Sequence, residues 1–350
     1  MQHLIDFEDM TTEEWHKLYA RARDIMDHTA DYKDALRGKT MASLFYEPST
    51  RTNFSFQTAM LKLGGGVFGF VDANTSSTAK GEKLKDTITM VSTYADVIVM
   101  RTPTEGMAKA ASLYSCAPII NAGDGGHCHP TQTLSDLTAI TERRGSLENM
   151  VVGLCGDLKN GRTVHSLIRA LSRFEGNSFV LISPKALATP KYLLDFLDEK
   201  GISYREVESL EEALPELDIL YMTRVQRERF DDPAEYERLK DVYILTASML
   251  APAKKDLTIL HPLPRVDEIA MDVDGDERAY YFRQAECGLY IRMALLLTMV
   301  EGGKFKPEYI APETRPHRCH NPKCITGKEQ YVPILDENGR CGYCEAELGE

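Results

Sequence analysis

The stretch Met41–Leu63, MASLFYEPSTRTNFSFQTAMLKL, governs the reading of the whole chain. Its first residues, Met41 to Tyr46, are largely apolar and end at Pro48, as a buried strand followed by a turn would. Ser49-Thr50-Arg51-Thr52 then opens a segment that puts Phe56, Ala59, Met60 and Leu63 on one helical face. A strand that delivers hydroxyls and an arginine to a helix N-terminus builds an anion site. The first backbone N–H groups have no intrahelical partner, the helix dipole is positive there, and Arg51 adds a planar fork of donors. The simpler reading is a Ser/Thr cap beside a surface arginine.

On either side of this stretch the same alternation continues. Thr11 with Glu14 forms a capping-box pattern before a helix reaching about Ala30. Strand-like runs follow at 41–46, 66–71, 96–100 and 117–120, with helical patterns at about 52–63, 83–95 and 105–115. A helix from Thr131 to about Arg143 leads into a second series, with strand candidates at 151–155, 178–182, 202–206, 218–222, 242–245 and 257–260. Helices at 162–174 and 190–200 separate some of these. Short apolar strands alternating with helices predict α/β architecture, two doubly wound parallel-sheet domains covered on both faces. The expected division is 1–131, completed by a late apolar helix at about 283–302, then 132–282. Residues 303–316, with Pro307, Pro312 and Pro316, read as a linker to a small domain at 317–350.

At 350 residues and 43% hydrophobic content the chain can build two full cores. A net charge of -12 argues against binding nucleic acid or an anionic membrane surface. Any anionic substrate must be held by local arginines against the overall field. No apolar run approaches the ~20 residues that span a bilayer, and the acidic start MQHLIDFEDM lacks a signal-peptide profile. The expected location is cytoplasmic, with Cys116, Cys128, Cys155 and Cys287 as free thiols.

In open α/β sheets ligands sit at the carboxyl ends of the strands, and polar clusters fall at those ends here. They are Arg101; Asn121 to Gly126 with His127, His129, Pro130, Thr131 and Gln132; Gly156 to Thr163; Thr223-Arg224-Val225-Gln226; and His261-Pro262-Leu263-Pro264-Arg265. Gly156 to Thr163 nearly matches a nucleotide phosphate-binding loop. It carries Arg162 where that pattern needs lysine, and arginine suits two-point grip of a carboxylate better.

Phe45-Tyr46-Glu47-Pro48-Ser49-Thr50-Arg51-Thr52 resembles the carbamoyl-phosphate signature of the transcarbamoylases. His129-Pro130-Thr131-Gln132 and His261-Pro262-Leu263-Pro264-Arg265 resemble two further motifs of that family. The resemblance runs from about residue 3 to residue 302, and it is strongest to the aspartate-specific branch through Gly156 to Ser166 and Met222 to Gln226. Pro262 and Leu263 stand where ornithine-specific relatives carry a cysteine. The resemblance implies that Ser49, Thr50, Arg51 and Thr52 bind carbamoyl phosphate, and that Thr52, Arg101 and His129 polarise its carbonyl. Gln132 and the backbone at Leu263 and Pro264 would hold the carbamoyl amide. Arg162, Arg224 and Gln226 would grip the carboxylates of L-aspartate. Ser76 and Lys80 match positions that reach into a neighbouring subunit's site, which implies a homotrimer with shared active sites and possibly dimers of trimers. The implied reaction makes N-carbamoyl-L-aspartate and phosphate, an early step of pyrimidine synthesis, with no catalytic cofactor. A silent homologue acting as a scaffold, or a transcarbamoylase for another amino acid, is the alternative.

The tail carries a separate signal. Cys319, Cys324, Cys341 and Cys344 have the spacing C-x4-C-x16-C-x2-C, which suits structural zinc held by four thiolates. Two disulfides, or His317 or His320 replacing a cysteine, are the competing readings. The tail also resembles the zinc domain of the regulatory chain of enterobacterial-type enzymes of this family, here fused to the catalytic chain without a nucleotide-binding domain. That implies a clamp on the catalytic core or on an interface between trimers, with no nucleotide-sensing role.

Overall fold

A computed structural model describes residues 1–225, 232–239, 241–307 and 319–348. It divides into two compact units, Met1–Thr131 with Leu289–Glu350, and Gln132–Gly288.

The first unit begins with α1 (Thr12–Asp27), whose Thr11 cap and Glu14 side chain close a reciprocal capping box and whose Trp15, Leu18, Ala22 and Ile25 are buried. Then come β1 (Thr40–Phe45), α2 (Thr50–Lys62), β2 (Gly66–Phe70), α3 (Leu84–Tyr94), β3 (Val97–Thr102), α4 (Met107–Ser112) and β4 (Ile119–Asp124). The four strands form an all-parallel sheet in the order β2-β1-β3-β4. β3 and β4 are buried along their whole length, as parallel strands covered on both faces must be. Strand β2 is the edge, and it is largely exposed. The fourth strand extends beyond the expected 117–120. Asn121 to Asp124 are strand rather than loop, because Leu4 pairs with Ile120 on one side and Thr102 pairs with Asp124 on the other.

Helix α5 (Pro130–Arg144) starts in the first unit and continues in the second. There follow β5 (Val151–Cys155), α6 (Arg162–Leu171), β6 (Ser178–Ile182), α7 (Lys191–Glu199), β7 (Tyr204–Val207), the single turn α8 (Leu210–Ala213), β8 (Ile219–Met222), α9 (Pro233–Leu239) and β9 (Thr258–Leu260). The sheet is again all parallel, in the order β7-β6-β5-β8-β9. The expected strand at 242–245 is absent. Only Leu245 makes a bridge, to Ile269. Tyr243 and Leu245 are buried while Val242 and Ile244 face solvent, so the alternation records one-sided packing of a loop against the core.

Helix α10 (Tyr281–Gly302) begins in the second unit and ends in the first. Beyond it Phe305 donates to the Cys116 carbonyl, and Lys304 Nζ donates to the carbonyls of Ser92 and Thr93. The tail, with α11 (Ile325–Lys328) and the antiparallel pair β10 (Asp336–Glu337) and β11 (Arg340–Cys341), belongs to the first unit. Among the described residues no helix is long and apolar enough to cross a membrane.

Candidate active site

In the first unit the site grows from the carboxyl ends of adjacent strands. β1 ends at Phe45, which is paired with Arg101 of β3, and the Tyr46 N–H donates to the Arg101 carbonyl at 2.8 Å. The chain then turns into α2 at Ser49. Ser49 occupies the N-cap, yet its hydroxyl makes no capping hydrogen bond. The N–H groups of the first turn, at Thr50, Arg51 and Thr52, thus point out of a thirteen-residue helix with their dipoles aligned. Thr52 is buried and Arg51 exposed.

Arg101 is buried, and three neighbours hold its guanidinium. Nη2 reaches Glu47 Oε1 at 3.3 Å, and Nη1 reaches His129 Nε2 at 3.3 Å and the Ala122 carbonyl at 3.4 Å. A guanidinium can only donate, so His129 accepts through Nε2 in this arrangement. Burial lowers the Arg101 pKa and the adjacent Glu47 carboxylate partly offsets it. Its Nε is buried with no acceptor among the described residues. Glu47, part of the signature but given no role from sequence, is the counter-charge that holds this arginine. Arg292 was also missed. It is buried on α10, donates to Ser55 Oγ and the Thr131 carbonyl, and stacks over Phe56 at 5.3 Å. It ties α2 and the start of α5 together at the base of the site.

Ser76 and Lys80 lie on two short 3-10 turns, Ala73–Thr75 and Ser77–Lys80, with Ser76 half-buried and Lys80 exposed. The Ser76 hydroxyl donates to the Ala73 carbonyl and accepts from the Thr78 N–H.

In the second unit the neighbouring strands β5 and β8 carry the arginines. Arg162 is the first residue of α6, after the loop 156–161, and Arg224 follows β8 by two residues; both are half-buried. Thr223 binds the two strand ends together. Its N–H and hydroxyl both donate to the Cys155 carbonyl, and its hydroxyl accepts from the Asp157 N–H at 3.1 Å. Gly156 must be glycine here: its φ is +120°, and a Cβ would stand 2.3 Å from the Thr223 carbonyl oxygen. The buried Asp157 carboxylate accepts from the N–H and side-chain amide of Asn160, closing the loop on itself. Gln226 lies outside the described residues.

Gln132 Nε2 donates to Asp136 Oδ1 at 2.7 Å. Asp136, fully buried, also accepts from Gln284 Nε2 at 2.6 Å and the Tyr221 hydroxyl at 3.0 Å. Gln284 Oε1 in turn accepts from the His261 N–H. The His261 ring accepts the Leu263 N–H at Nδ1 (2.8 Å), so its Nε2 carries the proton and donates to Glu268 at 2.7 Å. Burial alone would raise the Glu268 carboxyl; the hydrogen bond and charge of His261 and the backbone N–H groups together bring it below the usual value. Leu263 adopts φ +55°, a left-handed conformation costly for a non-glycine residue, before the cis Leu263–Pro264 bond. Arg265, grouped with the other strand-end arginines on sequence, is instead taken up by Asp274 and the Tyr281 hydroxyl.

The four tail cysteines converge. Their Sγ atoms lie within 4.8 Å of one another, with Cys319 and Cys344 at 3.4 Å and Cys324 and Cys341 at 3.8 Å. Zinc–sulfur bonds of about 2.3 Å in a tetrahedron place sulfurs about 3.8 Å apart, so the cluster fits the ion. None of the four is in a disulfide. His320 is exposed and outside the cluster, and His317 lies outside the described residues. The cysteines share one apolar core with Ile325, Val332 and Tyr343 of the tail and Met100, Met107, Ala111 and Tyr114 of the first unit.

Comparison with known proteins follows the same division. The family model "Aspartate/ornithine carbamoyltransferase, carbamoyl-P binding domain" matches residues 2–142, and the companion "Asp/Orn binding domain" matches 148–299. A Clostridium perfringens protein named aspartate carbamoyltransferase catalytic subunit is 57% identical over 300 residues, covering 85% of this chain and 98% of its own length. The chain belongs to the aspartate carbamoyltransferase family. A family member from Clostridium acetobutylicum is 55% identical over 298 residues, with 85% and 97% covered. Among solved structures of the family, the catalytic subunit of M. jannaschii aspartate transcarbamoylase superposes with a TM-score of 0.81 at 47% identity, covering 86% of this chain and 99% of that one. The Trypanosoma cruzi enzyme in complex with N-(phosphonacetyl)-L-aspartic acid superposes at 0.80 and 37% identity, covering 85% and 95%. Both family models stop before the cysteine tail.

Proposed function

We propose that this chain transfers the carbamoyl group of carbamoyl phosphate to the amine of L-aspartate, giving N-carbamoyl-L-aspartate and phosphate. The observation that carries this reading is the buried Arg101, clasped by Glu47 and His129, on the strand next to the one that leads into α2. In this reading the α2 amides, the hydroxyls of Ser49, Thr50 and Thr52, and Arg51 hold the phosphate. Arg101 and His129 turn N–H groups toward the carbonyl oxygen, where negative charge develops as the amine attacks. The new C–N bond forms as a tetrahedral intermediate. The C–O bond to phosphate then breaks, and the amine proton passes to the departing phosphate.

Gln132 and the strained backbone at Leu263 and Pro264 hold the carbamoyl amide. Arg162 and Arg224, with Gln226, take the two aspartate carboxylates by paired charge-assisted hydrogen bonds. Orientation of two bound substrates supplies much of the rate, and the chemistry needs no catalytic cofactor. Cys319, Cys324, Cys341 and Cys344 hold a structural zinc ion.

The working unit is a homotrimer in which Ser76 and Lys80 serve a neighbour's site. The exposure of Lys80 on its loop supports this. So does the apolar surface of Phe54, Leu61 and Val71, more than half exposed along α2 and just after the edge strand β2. Eight cysteines without a disulfide support a reducing, cytoplasmic setting. Assay of carbamoyl-aspartate formation, with ornithine as the control amine, tests the reaction. Product from ornithine but not aspartate, or no product from either, overturns it.

A further inference from the structure

The loop between β4 and α5, residues 125–129, carries His129, and the cysteine tail of the same unit helps to hold it. Asp124, fully buried, anchors the loop from within. It accepts from the N–H groups of Gly106 and Cys128 and from the Cys128 thiol at 2.8, 3.1 and 3.3 Å. His127 Nδ1 stands 3.4 Å from the same carboxylate. Its other ring nitrogen, Nε2, lies 3.5 Å from Glu345 Oε1, the residue directly after Cys344. One imidazole therefore spans from the loop's buried anchor to the second cysteine pair.

A second tie runs to the first cysteine pair. Glu105 Oε1 accepts the Gly126 N–H at 3.3 Å, while its Oε2 accepts Asn321 Nδ2 at 2.6 Å, and Asn321 lies between Cys319 and Cys324. The backbone of Glu105 is itself paired with the tail, through Glu105 N–H to the Lys323 carbonyl and Ile325 N–H to the Glu105 carbonyl, both at 3.0 Å. Gly106 makes room for this contact. A Cβ there would stand 2.3 Å from Tyr343 Cβ. The segment of the first cysteine pair thus reaches the His129 loop through Asn321 and Glu105, and that of the second through Glu345 and His127.

We propose that the C-terminal cysteine domain acts within its own chain as a positioning device for His129, with His127–Glu345 and Glu105–Asn321 as its two ties. The proposal rests on the function given above. A displacement of about 1 Å in a reacting group costs on the order of 10²-fold in rate, and only Cys128 separates the His127 tie from His129. Fixing both cysteine pairs fixes both ties, and the loop with them. His127 and Glu345 are positioning residues: neither touches substrate.

The test uses the full chain with its metal content measured. His127→Ala and Glu345→Ala are each expected to lower kcat about tenfold while KM for aspartate stays within twofold. Amide exchange in a peptide spanning 124–134 should quicken in both. Glu345→Gln, which keeps a hydrogen-bond acceptor, should recover most of kcat, and the double alanine variant should be no worse than either single one. Should His127→Ala not fold, Glu345→Ala and Asn321→Ala, altered on the tail side, give the same readouts. Wild-type kcat and wild-type exchange in Glu345→Ala and Asn321→Ala, with metal retained, overturn the proposal. If the unaltered chain forms no carbamoyl-aspartate, the assigned reaction falls, while exchange in the 124–134 peptide still decides whether the ties hold the loop.

Discussion

The two units present their arginines in opposite ways. Arg101 is buried within β3, with Glu47, His129 and the Ala122 carbonyl defining its plane. Arg162 and Arg224 stand half-buried where strand gives way to loop or helix, on a framework closed by Thr223 and Asp157. The difference matches two tasks. Stabilising charge as it appears in a transition state needs a donor that does not reorganise. Gripping the ends of a diacid needs donors that can follow it into the site. On the proposed function, the first unit supplies fixed geometry and the second capture.

Substituting each arginine tests that contrast, and the largest effect should come from the first unit. Arg101→Ala is expected to lower kcat about 10³-fold, measured by carbamoyl-aspartate formation at saturating substrates. Arg101→Lys should recover little, because an ammonium cannot meet Glu47, His129 and substrate in one plane. An Arg101→Ala enzyme with near-normal kcat would remove the fixed half of the comparison. Lys80→Ala should be almost as damaging for a different reason, and mixing it with Arg101→Ala chains under conditions of subunit exchange should restore activity, since some sites then receive both intact residues. No recovery on mixing would refute the shared site.

Arg162→Ala and Arg224→Ala should act on capture. Each is expected to raise KM for aspartate about 100-fold, the cost of losing a charged hydrogen-bonding group. The affinity for carbamoyl phosphate, read by calorimetry, should hardly move. An equal loss of affinity for both substrates would show that the two halves are not separable.

These contrasts were only partly legible in the sequence. Hydroxyls and apolar spacing placed α2 within two residues, because capping and helical periodicity are local properties. Runs of buried β-formers placed the strands, except at 242–245, where alternation came from a loop lying on the core. The side-chain relay Gln132–Asp136–Gln284 was not legible, because its members lie up to 152 positions apart and Asp136 and Gln284 each read alone as an ordinary surface acid or amide. The cysteine spacing announced a four-thiol cluster able to hold a metal, but not its seat. Tyr331, whose hydroxyl accepts the Lys85 N–H, and Tyr343, packed against Gly106, show their purpose only when the first unit is present.

The tail sharpens the comparison, since its described residues pack within the first unit. Chelation, or Cys324→Ser, should make residues 319–348 protease-sensitive and release zinc in a ratio of about one ion per four cysteines. Because Lys328 donates to Thr104, Lys109 pairs with Glu337 and Tyr331 accepts from Lys85, amide exchange should rise at the starts of α3 and α4. The β5–α6 loop should be unaffected. Protection lost first at Gly156–Gly161 would contradict the assignment of the tail to the first unit.

The smallest effect belongs to the second unit's own scaffold. Glu142 on α5 accepts from the Tyr280 hydroxyl at 2.6 Å, from Arg283 Nε at 3.0 Å and from the Cys287 thiol at 3.1 Å. Burial by itself would raise its pKa. The hydrogen bonds from Arg283, Tyr280 and Cys287 outweigh that and hold the carboxyl at about 2, against 4.5 when unperturbed. A depressed native value means stability that is complete above pH 4.5 and lost as pH falls toward 2. Arg283 is partly solvated, so screening reduces the contribution to about 1–2 kcal/mol. Glu142→Gln should therefore lose that much in urea unfolding at pH 7 and only about a quarter of it at pH 2.5. A deficit of equal size at both pH values would mean that the residue acts through packing, and the second unit would then owe its rigidity to shape and not to charge.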